Sequence, residues 1–137
     1  MGLRLSKMFR STVDEEDDRL PTSDIGLGLW HGDEARYYSY VRVVEENNAV
    51  LDTFQGRRTL VYLDLSSYVL SSFEVDADGL WWEGDVLRLS NDQYVDAGVL
   101  YDADGTRVDA TRPLQTFTRW YGFALTFPGA GIYGDAE

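Results

Sequence analysis

The stretch Gly32–Asp64, GDEARYYSYVRVVEENNAVLDTFQGRRTLVYLD, constrains this chain more than any other. It contains a turn, an aromatic run, a short charged segment, an apolar run, a QGRR turn and a third apolar run. Short runs of β-branched and aromatic residues between turn residues suit pleated strands. Gly56 supplies the positive φ that the tight turn between Ala49–Phe54 and Thr59–Leu65 needs. Upstream, Ile25, Leu27 and Leu29 alternate with Gly26, Gly28 and Trp30, a period of two with a glycine-rich face. Such a face predicts close approach by another backbone, or a bend. His31–Glu34 then turns the chain, and Ala35–Val41 returns as the second arm of a hairpin. Arg42–Asn48 predicts one or two helical turns closed by Asn47 or Asn48 in a left-handed cap.

Further strands are expected over Tyr68–Val75, Leu80–Glu83, Val86–Leu89 and, more weakly, Tyr94–Tyr101. Turns separate them at Asp76–Gly79 (DADG), Gly84 and Asn91–Gln93. A second DADG at Asp102–Gly105 leads into a loop over Thr106–Pro113. Leu114–Phe127 is the last apolar run, ended by Pro128-Gly129, and GAGIYGDAE reads as a small, flexible tail. Some eight short strands, with turn signals roughly every 8–12 residues, predict a mainly β fold. The expectation is an antiparallel β-sandwich or partly open barrel with at most one or two short helices. Residues 24–134 form the single β-rich domain, with an acidic, flexible arm over 1–23, which holds the run DEEDD, and a tail at 135–137.

Charge excludes several classes of partner. Twenty-four acidic residues against twelve basic ones give a net charge of −12, and Lys7 is the only lysine. No basic stripe exists to neutralise phosphates, so nucleic acid and anionic membrane surfaces are excluded as partners. An acidic, lysine-poor surface resembles proteins adapted to high salt, where screening makes dense negative charge tolerable, and a halophilic source is expected. With no cysteine and one histidine, the chain has no disulfide, thiol nucleophile or multi-histidine metal site. No apolar run approaches the ~18 residues of a membrane span. The N-terminus has no apolar core of a secretory signal, so a cytoplasmic protein is expected.

Trp81-Trp82 is the sharpest aromatic signal, because adjacent strand residues point to opposite faces. With Trp120 and Tyr121, and with Tyr38 and Tyr40 nearby, they are expected to form an aromatic patch. The leading function is therefore a non-catalytic module that binds a protein partner, a second copy of itself or a small ligand through Trp81, Trp82, Trp120 and Tyr121. No catalytic residue, metal or cofactor is assigned. The alternative is a carboxylate or metal-based enzyme around His31, Asp33, Glu34, Asp64 and Asp76. Neither DADG carries the spacing of an EF-hand loop, and each reads as a turn. The paired serines lack a G-x-S-x-G elbow, which rejects serine-nucleophile chemistry. Arg36 and Arg57-Arg58 are expected to pair with the abundant carboxylates.

Gly32–Tyr38, then Asn48–Phe54 with Gly56–Tyr62, and finally Trp120–Pro128 with Ile132-Tyr133 resemble, in order, three motifs of domain of unknown function 3179. Those motifs are a GxEAxAYP-like strand, a VNDTxGGxPVxVxYxP-like strand pair and a closing WFAWxxFHPxTxxY. Val50–Phe54 stands at VNDT. Many members place a Cys-Pro-x-Cys-like segment just after the third strand, which implies thiol redox chemistry. Here that position reads Leu63-Asp64-Leu65-Ser66-Ser67, and Phe127-Pro128 replaces the family's His-Pro. The resemblance implies a retained scaffold without the sulfur, and hence a degenerate enzyme as the form the alternative would take.

Overall fold

The computed structural model describes residues 19–135. The expected arm over 1–23 falls mostly outside the described residues, as does part of the tail at 135–137. Arg19 and Leu20 belong to the packed body: Arg19 donates to Ala130 O at 2.6 Å, and Leu20 packs against a core cluster.

The strands are β1 (Ile25–His31), β2 (Glu34–Ser39), β3 (Ala49–Phe54), β4 (Arg57–Asp64), β5 (Val69–Glu74), β6 (Leu80–Glu83), β7 (Val86–Leu89), β8 (Tyr94–Asp96), β9 (Val99–Tyr101), β10 (Leu114–Arg119) and β11 (Gly131–Ile132). Among the described residues there are two short helices, α1 (Tyr40–Glu45) and α2 (Trp120–Thr126). The mainly β expectation holds, and its architecture is three sheets with no closed barrel. The first sheet has the order β10-β1-β2-β11, the middle one β3-β4-β5 and the outer one β6-β7-β8-β9.

Side-chain alternation explains the stacking. On β4, Val61 and Leu63 face the first sheet, where they meet Leu27 and Leu29 of β1, Tyr38 of β2 and Val43 of α1. Leu60 and Tyr62 face the other way and pack with Leu87, Leu89, Val95 and Leu100 of the outer sheet. The middle sheet is thus buried on both faces, which is why β4 reads as the unbroken apolar run TLVYL. The glycine face of β1 is covered by α2: a Cβ at Gly28 would overlap the Phe123 ring, and one at Gly26 the backbone of Tyr38. Tyr37, Trp120, Phe123 and Ala124 form the third core there, with Tyr37 and Trp120 rings 5.0 Å apart.

Several boundaries differ from the expected ones for identifiable reasons. β2 stops at Ser39, whose hydroxyl donates to Asp24 Oδ1 at 2.9 Å, and the helix starts at Tyr40 rather than Arg42. Asn47 and Asn48 both take positive φ, 65° and 68°, so the left-handed cap uses both asparagines. Leu114–Phe127 splits at Trp120, whose N–H donates to Asp24 O at 2.8 Å and starts α2. Tyr94–Tyr101 is two strands around Ala97 and Gly98, both at positive φ. The two DADG stretches are not equivalent. Gly105 donates to Asp102 O in a true turn, whereas Asp78 and Gly79 both donate to Ser90 Oγ at 3.1 Å. The supposedly flexible tail is anchored: Gly131 and Ile132 pair in parallel with Arg36 and Tyr37, and Ile132 is buried.

Candidate functional site

The four aromatics expected to share a patch do not lie on one surface. Trp81 is 52% exposed on β6, whereas Trp120 is completely buried in the third core against Tyr37. Trp82 is half-buried against the core between the middle and outer sheets, its indole N–H donating to Asn47 O at 2.7 Å. Tyr121 follows Trp120 on α2 and lines a shallow groove with Ile25 and Phe117. Trp120 is buried because it opens α2 on the side that faces the sheet, where its ring packs on Tyr37 while Phe123, one turn on, fills the space above Gly28. The alternative group is split: His31, Asp33 and Glu34 lie together at the β1–β2 turn, whereas Asp64 ends β4 and Asp76 lies in the loop after β5. Among the described residues no three His, Asp or Glu side chains are grouped as metal ligands.

A cleft of about 960 Å³ lies elsewhere. Its walls are the β1–β2 turn and start of β2, the inward face of β3, and the segment from the end of α2 through β11. Its polar centre is Asp52. Alternation puts Asp52 on the same face as Val50 and Phe54, so a carboxylate is turned towards a hydrophobic layer and must find partners there. Tyr38 Oη donates to Asp52 Oδ2 at 2.8 Å, and Arg36 Nη1 donates to the same oxygen at 2.7 Å. Arg36 Nη1 also donates to Thr53 O at 2.8 Å, and its guanidinium lies 5.4 Å from the centre of the Phe54 ring. Burial, followed by the Asp52 charge and hydrogen bond, pushes the Tyr38 phenol well above its ordinary range. The phenol is therefore a neutral donor. Tyr133 stacks on Tyr38 at 5.3 Å, and Glu34, on the rim, accepts from Gln55.

Both bonds to Asp52 fall on Oδ2. Its Oδ1 and the remaining guanidinium nitrogens of Arg36 carry no hydrogen bond among the described residues, and both side chains line the cleft. The cleft thus presents an acceptor and a donor group side by side, held in place by the protein's own network. No family model, curated protein or solved structure matches the chain. The arrangement can bind a polar group that both donates and accepts. His31 flanks the β1–β2 turn that walls the cleft, but it is exposed and is not among the lining residues.

The expected ion pairs are present for Arg36 with Asp52 and for Arg57 with Glu74, at 2.7 and 2.9 Å. Sequence reasoning did not single out Asp52 as a site residue, although a signal existed. In AVLDTF the carboxylate occupies the alternation position of the inward residues Val50 and Phe54.

Proposed function

We propose that the protein is a non-catalytic, β-rich binding module and that its ligand site is the Asp52–Arg36 cleft. The observation that carries this reading is convergence. The three stretches that resemble the 3179 family meet around this one cavity: Gly32–Arg36 from the first, Asp52 and Phe54 from the second, and Phe127, Pro128, Ile132 and Tyr133 from the closing motif. Segments far apart in sequence need not share a wall unless the scaffold they specify encloses something. On this reading the chain is a divergent member of that family, keeping the cleft and lacking the sulfur at Leu63–Ser67. Its ligand is a small polar molecule, or a polar side chain of a partner, that donates to Asp52 and accepts from Arg36.

A thermal-shift screen of the purified protein in molar KCl, across sugars, nucleotides, amino acids and metals, tests the reading. A ligand at ~100 times its Kd adds about 2.7 kcal/mol to stability. Thr126→Trp, on the exposed cleft wall formed by α2, should abolish that shift without changing the melting temperature of the free protein. A hit that persists in this variant would place the site elsewhere and sink the proposal.

Trp81 supports a second, protein-facing contact on the outer sheet. It is the most exposed tryptophan, and its cross-strand neighbour Arg88 is held by Glu83 at 2.8 Å. Burial of a protruding indole is a common anchor for association. If a self-associating form exists, sedimentation should show Trp81→Ala shifting it to monomer.

A further inference from the structure

Within the Asp52–Arg36 cleft, one face of β2 carries a row of polar groups. Glu34, Arg36 and Tyr38 alternate with Ala35 and Tyr37, so all three side chains point from the first sheet towards β3. Each bridges to the β3 side: Tyr38 and Arg36 donate to Asp52 Oδ2, and Glu34 Oε1 accepts from Gln55. One oxygen of each carboxylate is thereby used. Asp52 Oδ1 and Glu34 Oε2 accept no hydrogen bond among the described residues, and both side chains line the cleft.

The spacing of these groups sets the shape of a ligand. The Arg36 and Asp52 side chains touch at 2.7 Å and keep 32% and 23% of their surface exposed, so solvent reaches both. A fixed pair of opposite charges, with Tyr38 bracing it from behind, is complementary to an ammonium beside a carboxylate. Glu34 stands two residues along β2 from Arg36, a step of about 7 Å at the rise of a strand. Its side chain is exposed, and Asp33 and Asp135 also line the cleft, whereas Arg36 is the only cationic side chain among the described lining residues. The surplus of carboxylates favours a ligand with net positive charge. Phe54, Phe127 and Pro128 supply apolar wall for a hydrocarbon stem.

We infer that the cleft binds a basic α-amino acid of the length of lysine. The inference rests on the assignment of this cleft as the ligand site and names the class of ligand. The α-ammonium donates to Asp52 Oδ1, the α-carboxylate accepts from the Arg36 guanidinium, and the side-chain ammonium reaches Glu34. An ammonium has donors only, as the two free carboxylate oxygens require, and a carboxylate is the natural acceptor for a guanidinium. The four-carbon stem of lysine matches the two-residue step from Arg36 to Glu34. A diamine would leave Arg36 unanswered, and an acidic amino acid would be repelled by Asp33, Glu34 and Asp135.

L-Lysine hydrochloride is the probe, titrated into the full chain against sodium chloride at matched ionic strength, with amide and Arg36 Nε–H NMR shifts as the readout. Saturable shifts at Arg36 Nε–H, Gly131 and Gly134 are expected. L-Norleucine lacks the side-chain ammonium and 1,5-diaminopentane lacks the carboxylate, so each should bind about tenfold more weakly, equivalent to one lost charged contact. Glu34→Gln should weaken lysine by the same factor and leave norleucine unchanged, a difference that a merely structural role for Glu34 would not produce. Equal shifts with sodium chloride, norleucine or diaminopentane binding as tightly as lysine, or equal weakening of both amino acids in Glu34→Gln would each overturn the inference. If lysine fails while Thr126→Trp abolishes the binding of another ligand, this inference falls and the cleft keeps its assignment. If that variant blocks no ligand at all, both fall.

Discussion

Tyr38 and Tyr62 are both buried phenols in the cores flanking the middle sheet, and they differ in what their hydroxyls meet. Tyr38 donates to Asp52, which is braced by Arg36. Tyr62 stacks on Phe73 at 5.9 Å with rings nearly parallel, but its hydroxyl has no partner. The first hydroxyl is explained by the fold; the second is not. The contrast separates a polar group that holds a cleft together from one buried without a partner, and three substitutions can break or sharpen it.

Asp52→Leu should have the largest effect. It removes the acceptor shared by Tyr38 and Arg36, and the stranded Tyr38 hydroxyl alone costs about 2–3 kcal/mol. The Arg36 pair adds little because both partners are partly exposed. A urea midpoint that falls with an unchanged slope would register this loss, and an unchanged midpoint would show that the network contributes nothing to the fold. Tyr38→Phe should cost less, about 1.5 kcal/mol, since Asp52 keeps Arg36 as a partner. The same urea titration measures it, and a loss as large as that of Asp52→Leu would mean the ring, rather than the hydrogen bond, was disturbed. Tyr62→Phe should lie between no change and a gain of about 1 kcal/mol, because it removes an unsatisfied group and leaves the ring packing intact. A clear loss of stability would erase the contrast and show that Tyr62 has a structural partner after all.

Much of the architecture was legible in the chain. The alternation of Leu27 and Leu29 with Gly26 and Gly28 foretold a strand with one unusually accessible face, and α2 occupies that face. The turn at Gln55-Gly56, with φ of 57° and 73°, lies where QGRR predicted it, between β3 and β4. The aromatic residues misled because ring count says nothing about direction. Trp120 reads as an exposed anchor only until α2 is known to begin there and to lie against glycine. The anchored end of the chain was hidden for a related reason. Gly131 and Ile132 make a strand of two residues, too short to show an alternation, and they pair because β2 offers an open edge at Arg36 and Tyr37.

The sequence by itself determined the mainly β class, the positions of most turns, and the lack of cysteine, because these depend on local sterics and on composition. Tertiary structure alone decided that Asp52 meets Tyr38 and Arg36, that the family-like stretches share one cleft, and that Tyr62 has no partner. Each of these depends on which faces the stacked sheets bring together, and hydrogen bonds between sheets leave no signature in the spacing of residues along the chain.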